Sequence, residues 1–356
     1  MPKKNTADVS TTIALLAESK CPFGIRSGAH SAYRGANSVE NSVTVDFGHM
    51  NHTVYDPKNK IARTDPGSNW AVGGRASPVG VDGFVTGGGY YFHSNTKGFA
   101  CDQVVNFEVV LADGLIVDAN KDEHHDLWKS LKGGSGNLGL VTRVDQQYIN
   151  FVEANDNDAA SQLIATVQWD GERKHLLSVV SNSDAVESSA SFSGLFNISS
   201  TSNTTAKGKI ADVVPQFTGL TPLGLYANWM TGTTTNDIRI MTFLHDNFDE
   251  YVDKMRTAAP GSKFSVLVQF QPVTQSMVKH SDENGGNALG LESVVAKGPA
   301  LMWLIAVTVD TEQNQDKIDP LTRAFNADVD AYAEEVGIRY PWVYLNYARG
   351  GQDPLS

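Results

Sequence analysis

The stretch that decides how this chain folds is GGRASPVGVDGFVTGGG, residues 73–89. Glycine is too frequent here for a regular helix or an ordinary strand, because glycine loses more backbone freedom on folding than any other residue. The stretch nevertheless keeps the apolar residues Val79, Val81, Phe84 and Val85. A mixture of glycines and apolar side chains is typical of a backbone that lies close against another group. We therefore predict a buried loop packed tightly against a partner.

Composition limits the classes of protein that fit the chain. A length of 356 residues is natural for two domains, and a net charge of -12 disfavours a nucleic-acid surface, which needs clustered Lys and Arg. With only Cys21 and Cys101, there is no disulfide framework and no cysteine-based zinc site; one bridge is possible, but two buried thiols are the expectation. No apolar run approaches the length of a membrane span, so we expect no membrane partner. The N-terminal MPKKNTADVS lacks the apolar core of a secretory signal, which leaves the location open, and cytoplasmic if this start is genuine.

Local patterns predict mixed structure in the first half. Apolar residues recur at helical spacing between Thr6, the expected N-cap, and Lys20. Short strands are predicted at Phe23–Arg26 and Val43–Phe47. A hairpin is predicted around Asp113–Gly114, a strong two-residue turn signal.

The second half predicts a sheet covered by helices. Residues 263–271, KFSVLVQFQ, alternate apolar and polar side chains as a half-buried strand does. Asp246 is expected to cap one helix, and a later helix is expected to have Pro320 in its first turn and Gly337 at its end. The predicted class is α+β, with an antiparallel platform of strands and helices on one side.

Three familiar motifs do not fit. Gly134–Gly139 matches G-x-G-x-x-G, but a helix precedes it and a strand follows, the reverse of a dinucleotide-binding turn. A G-x-S-x-G hydrolase elbow would need glycine where Asn137 stands. His124 and His125 are adjacent and cannot share one helical face, so no metal site is predicted.

Three features remain: the turn Arg26–His30, the stretch 73–89, and the tyrosines and asparagine of residues 344–347. Each taken alone is more often structural, since glycine turns and buried tyrosines are common. Together they describe a binding site. Amides freed by small residues can cradle a diphosphate without lysines, a histidine beside them could touch a cofactor ring, and a tyrosine could take a substrate proton.

These residues resemble FAD-linked oxidases of the berberine-bridge-enzyme type, within the PCMH-type flavoprotein superfamily of vanillyl-alcohol oxidase. The matching stretches follow the family's order over most of the chain. They are PFGIRSGAHS, VTVDFGHMN, GGRASPVGVDGFVTGGG, KGFACDQVVNFEVVLADG, DLWKSLKGGSGNLGLVTR, NALGLE and YLNYARGGQDP.

The resemblance implies FAD as the cofactor. In the family the R-S-G-G-H loop wraps the diphosphate, and its histidine, here His30, commonly bonds covalently to the flavin. The glycine-rich stretch, the G-N-x-G turn and the asparagine of Y-x-N-Y approach the ring. The implied cofactor-binding residues are Arg26, Ser27, Gly28, Ala29, His30, Gly80, Val81, Gly83, Gly87, Gly88, Gly89, Gly136, Asn137, Gly139, Val141 and Asn346.

The implied reaction is hydride transfer from a small organic alcohol, sugar or secondary metabolite to flavin N5, with O2 as acceptor. Tyr347 is the implied base, with Tyr344 beside it. A tyrosine accepts a proton readily only if a positive charge or hydrogen bond stabilises its phenolate, and Arg349 is our candidate for this. We expect Gln269 and Gln271 to help form the substrate pocket.

The chain departs from the family pattern in several places. Ala29 replaces a glycine, and no cysteine lies near Ser77 for a second covalent link. The family's first strand, a helix between Trp70 and Gly73, and a C-terminal helix after QDPL have no counterpart. A redox-inactive or flavin-poor paralogue, acting as a binding protein or non-redox cyclase, is therefore the alternative hypothesis.

The resemblance also divides the chain. We expect an FAD-binding PCMH-type domain over residues 1–150 and a substrate domain over residues 151–336. Residues 337–356 are then a segment that returns to the FAD-binding domain.

Overall fold

A computed structural model describes most of the chain. The described residues are 5–32, 35–69, 73–147, 158–218 and 224–355. The predicted domain boundary at residue 150 lies outside them, as does the chain between Trp70 and Gly73. Among these residues no helix is long and apolar enough to cross a membrane. The same residues contain no group of three or more His, Cys, Asp or Glu side chains able to hold a metal ion.

Among its described residues, the first half of the chain forms two small sheets and four helices. Its strands are β1 (Phe23–Arg26), β2 (Val43–Asp46), β3 (Thr53–Asp56), β4 (Ile61–Thr64), β5 (Val104–Val110), β6 (Ile116–Asn120) and β7 (Leu140–Gln147). Its helices are α1 (Thr6–Glu18), α2 (Val81–Thr86), α3 (Ser94–Lys97) and α4 (His125–Leu131). β1 and β2 pair in parallel, and the others form an antiparallel sheet in the order β3-β4-β7-β5-β6. The predicted hairpin is β5–β6, and it is confirmed.

The second half forms one antiparallel sheet of six strands in the order β13-β10-β12-β11-β8-β9. Its strands are β8 (Ser161–Trp169), β9 (Lys174–Asn182), β10 (Tyr226–Thr235), β11 (Phe264–Val273), β12 (Ala300–Val309) and β13 (Arg339–Tyr340). Its helices are α5 (Ser193–Phe196), α6 (Ile210–Thr218), α7 (Ile238–Ala258), α8 (Gln275–Glu283), α9 (Leu291–Val295) and α10 (Glu312–Glu335). The α+β class with an antiparallel platform is confirmed.

Alternation along β11 explains the two faces of the large sheet. Phe264, Val266, Val268 and Phe270 are buried in a core shared with α7 and α10. The intervening side chains, such as Gln269, point to the opposite face, where they line a cleft. This confirms the predicted period and leaves one face of the sheet available to form a pocket.

Two helix starts differ from prediction. The N-cap of α1 is Asn5, one residue before the predicted Thr6, and its side-chain oxygen accepts the Asp8 amide N–H at 2.9 Å. Helix α7 starts after Asp237, whose carboxylate caps the Arg239 amide, so Asp246 lies inside the helix. Both errors have one cause: several Asn, Asp and Thr residues can cap, and packing decides which one does.

Two further predictions are wrong: the position of Pro320 in its helix, and a loop over the whole of residues 73–89. Helix α10 begins after Thr311, so Pro320 lies in its interior; the first turns are polar and hide the helical period. Gly337 does close the helix, with a φ of 71°. The glycine-rich stretch is not loop throughout, because VDGFVT holds a single glycine and forms α2.

The two halves share a core and are joined through buried polar contacts. Lys132 is fully buried; its Nζ lies 3.5 Å from the Trp128 ring centre and donates to the Asn284 carbonyl at 3.0 Å. The Asn287 side chain donates to Asp102 at 2.9 Å. Because these bonds are shielded from water, they fix residues 284–289 of the second half against the first half.

Candidate active site

A cleft of about 930 Å³ lies between the two halves. One wall consists of the loops around residues 27–32, 74–86 and 135–141. The opposite wall is the face of the six-stranded sheet that carries Gln269, and the tail around residues 344–354 lines one part of the cleft. Its volume is at the upper end of the range of about 300–1,000 Å³ found for ligand pockets.

The structure brings many of the predicted site residues together in this cleft. Those that line it are Ser27, Ala29, His30, Gly80, Gly83, Gly136, Gly139, Val141, Gln269, Tyr344, Asn346 and Tyr347. The others do not line it: they are Arg26, Gly28, Val81, Gly87, Gly88, Gly89, Asn137 and Gln271.

Several residues outside the lining have structural partners. Arg26 forms an ion pair with Asp46, its register partner across β1 and β2. Gly28 packs backbone to backbone on Gly80, and a Cβ on Gly28 would lie 2.3 Å from the Gly80 nitrogen. Glycine at both positions thus allows the backbones of two loops to come into contact. Asn137 is exposed to solvent.

The cleft fits a long cofactor such as FAD. Gly83 and Gly136 line it, and a Cβ built on either would meet no atom within 4 Å. Side chains at these positions would occupy the cleft, so glycine leaves bare backbone and room for a ligand. Bare backbone amides are the groups that can hold a diphosphate without lysine.

His30 lies in the cleft wall beside β10. Its ring centre is 6.3 Å from that of Trp229, in an edge-on arrangement. Burial lowers the pKa of His30, so the imidazole is neutral at neutral pH. A neutral imidazole keeps the lone pair that a covalent bond would require.

Tyr344 and Asn346 attach the tail to the first half. The Tyr344 hydroxyl accepts the Tyr90 amide N–H at 2.7 Å and the Asn346 side-chain amide at 3.1 Å. Asn346 also donates to the Phe84 carbonyl, at the end of α2, at 2.9 Å. Burial raises the pKa of Tyr344, so this hydroxyl stays protonated. Both side chains therefore serve to position the tail.

Tyr347 presents its hydroxyl to a polar cluster. The oxygen accepts hydrogen bonds from Arg75 at 2.7 Å and from Gln271 at 3.2 Å. Its ring lies edge-on to Trp229, with 5.5 Å between centres, and to Tyr344, with 4.9 Å. The tyrosine is thus held on three sides with its oxygen bonded to a cation.

Arg349 does not contact Tyr347, and our expectation for it is wrong. Its guanidinium pairs with both carboxylate oxygens of Asp319 on α10, with Nη2 and Oδ2 2.8 Å apart. Arg349 is close to Tyr347 in sequence, but its side chain turns away from Tyr347 and toward α10. The cation at Tyr347 is Arg75, which sequence reasoning missed although it lies in the quoted stretch.

Asp82 is a second missed residue of the same stretch. It lines the cleft from the first turn of α2, and burial raises the pKa of its carboxyl to about 7. A charged residue within an otherwise small and apolar stretch was the only signal in the sequence for either Arg75 or Asp82.

Comparison with known proteins supports FAD as the cofactor of this chain. The FAD binding domain family matches residues 3–120. The FAD-dependent monooxygenase drtC of Aspergillus calidoustus is 30% identical, with 99% of this chain and 75% of that protein aligned. The FAD-dependent monooxygenase tpcD of Cochliobolus heterostrophus is 28% identical, with 98% and 76% aligned.

Solved structures show the same fold. 6-Hydroxy-D-nicotine oxidase from Arthrobacter nicotinovorans superposes with a TM-score of 0.73 at 17% identity, covering 98% of this chain and 83% of that one. Berberine bridge enzyme from Eschscholzia californica gives 0.70 at 15% identity, covering 98% and 78%.

Fold, cleft and relatives together define an FAD-linked oxidoreductase whose cofactor is FAD. The chain belongs to the same family as the FAD-dependent monooxygenase drtC, and its fold is that of berberine bridge enzyme.

The backbone of Ala29 yields a prediction about stability. Its φ of 52° is left-handed, a conformation that costs a residue with a Cβ about 1–2 kcal/mol. Ala29→Gly should raise the free energy of unfolding by about 0.5–1 kcal/mol, because relief of this strain exceeds the entropy that glycine adds to the unfolded chain. Urea unfolding measures the change. The control is Ala32→Gly: the φ of Ala32 is not positive, so this substitution should lower the free energy of unfolding. An equal loss of stability in both variants would contradict the prediction.

The titration of Asp82 yields a prediction about cofactor affinity. With a pKa of about 7, the carboxyl is neutral at lower pH and negative at higher pH. FAD should therefore bind several-fold more weakly as pH rises from about 6 to 8, because the carboxylate repels the diphosphate. Titration of FAD fluorescence measures this in the His30→Ala protein, where attachment through His30 is excluded. Adding Asp82→Asn should flatten the profile; a surviving pH dependence would contradict the assignment.

Proposed function

We propose that this protein is an oxidase that takes a hydride from the carbinol carbon of a small neutral alcohol and a proton from its hydroxyl group. The observation that carries the proposal is the Tyr347 hydroxyl, which lies in the cleft and accepts hydrogen bonds from Arg75 and Gln271. Bound FAD would supply the hydride acceptor at N5, with O2 as the final electron acceptor. Tyr347 removes the proton of the substrate hydroxyl, since its donors favour the form that can accept one.

The sheet wall supports a neutral substrate. Its lining residues are uncharged, and they are Ile164, Thr166, Gln168, Leu177, Val179, Tyr226, Ala227, Trp229, Ser265, Leu267, Gln269, Leu304, Ala306 and Thr308. An ionic substrate would lose its hydration against this wall without a compensating charge. More of these side chains are apolar than polar, which favours a hydroxylated secondary metabolite over a free sugar.

Amide and hydroxyl side chains on this wall can orient the substrate. Gln269 and Thr308 lie on neighbouring strands, β11 and β12, and both face the cleft. We assign Gln269 to hydrogen bonding with the substrate. Gln271 is fully buried and bonded to Arg75 and Tyr347, so we assign it to the base rather than to the substrate.

The loops of the first half would hold the cofactor. Ser27, Gly80 and Gly136 offer backbone or hydroxyl groups along the cleft. His30 is our assignment for covalent attachment, because it lies in the cleft wall and its imidazole is neutral at neutral pH. Tyr344 and Asn346 support the site from behind, which leaves Tyr347 as the catalytic tyrosine.

The cofactor assignment is tested by colour. Purified protein should be yellow, and the flavin should remain with the chain after acid precipitation. His30→Ala should release flavin into the supernatant while the native protein stays yellow. His52→Ala is a suitable control, since that histidine is exposed and does not line the cleft. A folded but colourless protein would favour the redox-inactive alternative instead.

The base is tested by turnover. A substrate is first found by screening neutral alcohols for peroxide formation with the wild-type protein. Tyr347→Phe should then lower kcat by about 10²–10⁴-fold, the usual contribution of a positioned base, with the flavin spectrum unchanged. Tyr226→Phe, which removes another hydroxyl from the cleft, should have a much smaller effect. Wild-type turnover in Tyr347→Phe would refute the assignment.

A further inference from the structure

The hydroxyl oxygen of Tyr347 has two hydrogen-bond donors. Arg75 Nη2 lies 2.7 Å from it and Gln271 Nε2 lies 3.2 Å from it. A neutral phenol accepts through two lone pairs and donates one proton. Both acceptor positions are therefore taken. Among the described residues, the hydroxyl proton has no acceptor, so it is directed to whatever occupies the cleft.

Arg75 also fixes the orientation of Gln271. The same Nη2 that donates to Tyr347 donates to Gln271 Oε1 at 2.6 Å. An amide whose oxygen accepts from a guanidinium must turn its NH2 group the other way, and here that group faces Tyr347. Because Gln271 is fully buried, no water competes for its amide. Both donors to Tyr347 thus depend on one arginine.

The neighbouring ionisable groups leave Arg75 as the charge that Tyr347 contacts. The Arg75 guanidinium lies 4.9 Å from the Tyr90 ring centre, and the Tyr344 ring packs edge-on against Tyr347. Burial raises the pKa of both Tyr90 and Tyr344, so neither adds a negative charge. Asp82 lines the same cleft but, in the described part of the chain, makes no hydrogen bond to Arg75.

We propose that Arg75 is the positioning residue that makes Tyr347 a base: its guanidinium, and the Gln271 amide that it orients, stabilise the phenolate over the phenol. On deprotonation the oxygen keeps both hydrogen bonds and gains a free lone pair directed into the cleft. On deprotonation the Gln271 bond becomes charge-assisted, which makes it roughly twice as strong as a neutral bond, and the Arg75 bond becomes an ion pair. This inference rests on the proposed function, in which Tyr347 accepts the substrate proton.

The arrangement also connects the base to the cofactor wall. Arg75 lies between Gly74 and Ala76, which line the cleft on the side of the cofactor loops. The donor that activates the base is therefore carried by the loop that would contact the cofactor. Filling the cleft would hold this loop, and with it the hydrogen bonds to Tyr347, in place.

Direct titration of Tyr347 tests the proposal without a substrate. Ultraviolet absorbance of tyrosinate is followed with rising pH in the FAD-loaded protein, and subtracting the same curve for Tyr347→Phe isolates Tyr347. In an Arg75→Met background the midpoint should rise by at least about one pH unit, with Arg75→Lys in between. Arg349→Gln removes a guanidinium from the same cleft without touching Tyr347, and should leave the midpoint unchanged. An unchanged midpoint in Arg75→Met would overturn the proposal.

The pH profile of kcat, measured with a substrate found by screening, gives a second and independent test. Arg75→Met should be at least about tenfold slower than wild type near neutral pH and recover at high pH, where Tyr347 ionises without help. An equal loss at every pH would indicate a merely structural role and contradict the proposal. If Arg75→Met does not fold, Gln271→Leu removes one of the two donors and should give a smaller shift in the same direction.

The two tests separate this proposal from the proposed function. If Tyr347→Phe retains wild-type turnover, Tyr347 is not the base and the proposed function fails. The titration would still report whether Arg75 governs the ionisation of Tyr347. If turnover by Tyr347→Phe is slow but the titration midpoint of Tyr347 is unchanged in Arg75→Met, the proposed function stands and this inference fails.

Discussion

The hydrogen bond from the Tyr90 amide to the Tyr344 hydroxyl is the interaction on which the site depends. It is buried, and it joins the first half of the chain to the tail that follows the large sheet. Asn346 reinforces it by bonding to both Tyr344 and the Phe84 carbonyl. A buried bond of this kind is costly to break, because both partners would be left without water. It places Tyr347 over the cleft.

Once the tail is held there, three distant segments meet at one oxygen. Arg75 comes from the glycine-rich stretch, Gln271 from the central strand β11, and Tyr347 from the tail. The sheet contributes rigidity, because Gln271 lies on a strand paired on both sides. Side chains held by such different elements need a dense network of contacts to keep their relative geometry. The bonds of Lys132 and Asn287 at the junction of the two halves supply part of it.

The sequence predicted the fold class and the family with good detail. The alternation along β11, the β5–β6 hairpin and the glycine at the end of α10 are local patterns, and each is found in the structure. Helix starts were less certain, as Asn5 and Asp237 show, because neighbouring residues cap almost equally well. Several of the predicted loop residues and both tyrosines line the cleft, but the cation that contacts Tyr347 is Arg75 and not the expected Arg349.

From the sequence alone the fold class and many local elements follow, because these depend on spacing and turn chemistry within short windows of the chain, and the resemblance to a known family implies the cofactor. Which of these groups come into contact depends on the tertiary structure. Arg75 and Tyr347 are 272 residues apart, and Arg75 and Gln271 are 196 apart. No local rule relates residues at such separations; their contact follows from how the sheet, the cleft loops and the tail pack. For the same reason, Arg349 bonds to α10 although it lies two residues from Tyr347.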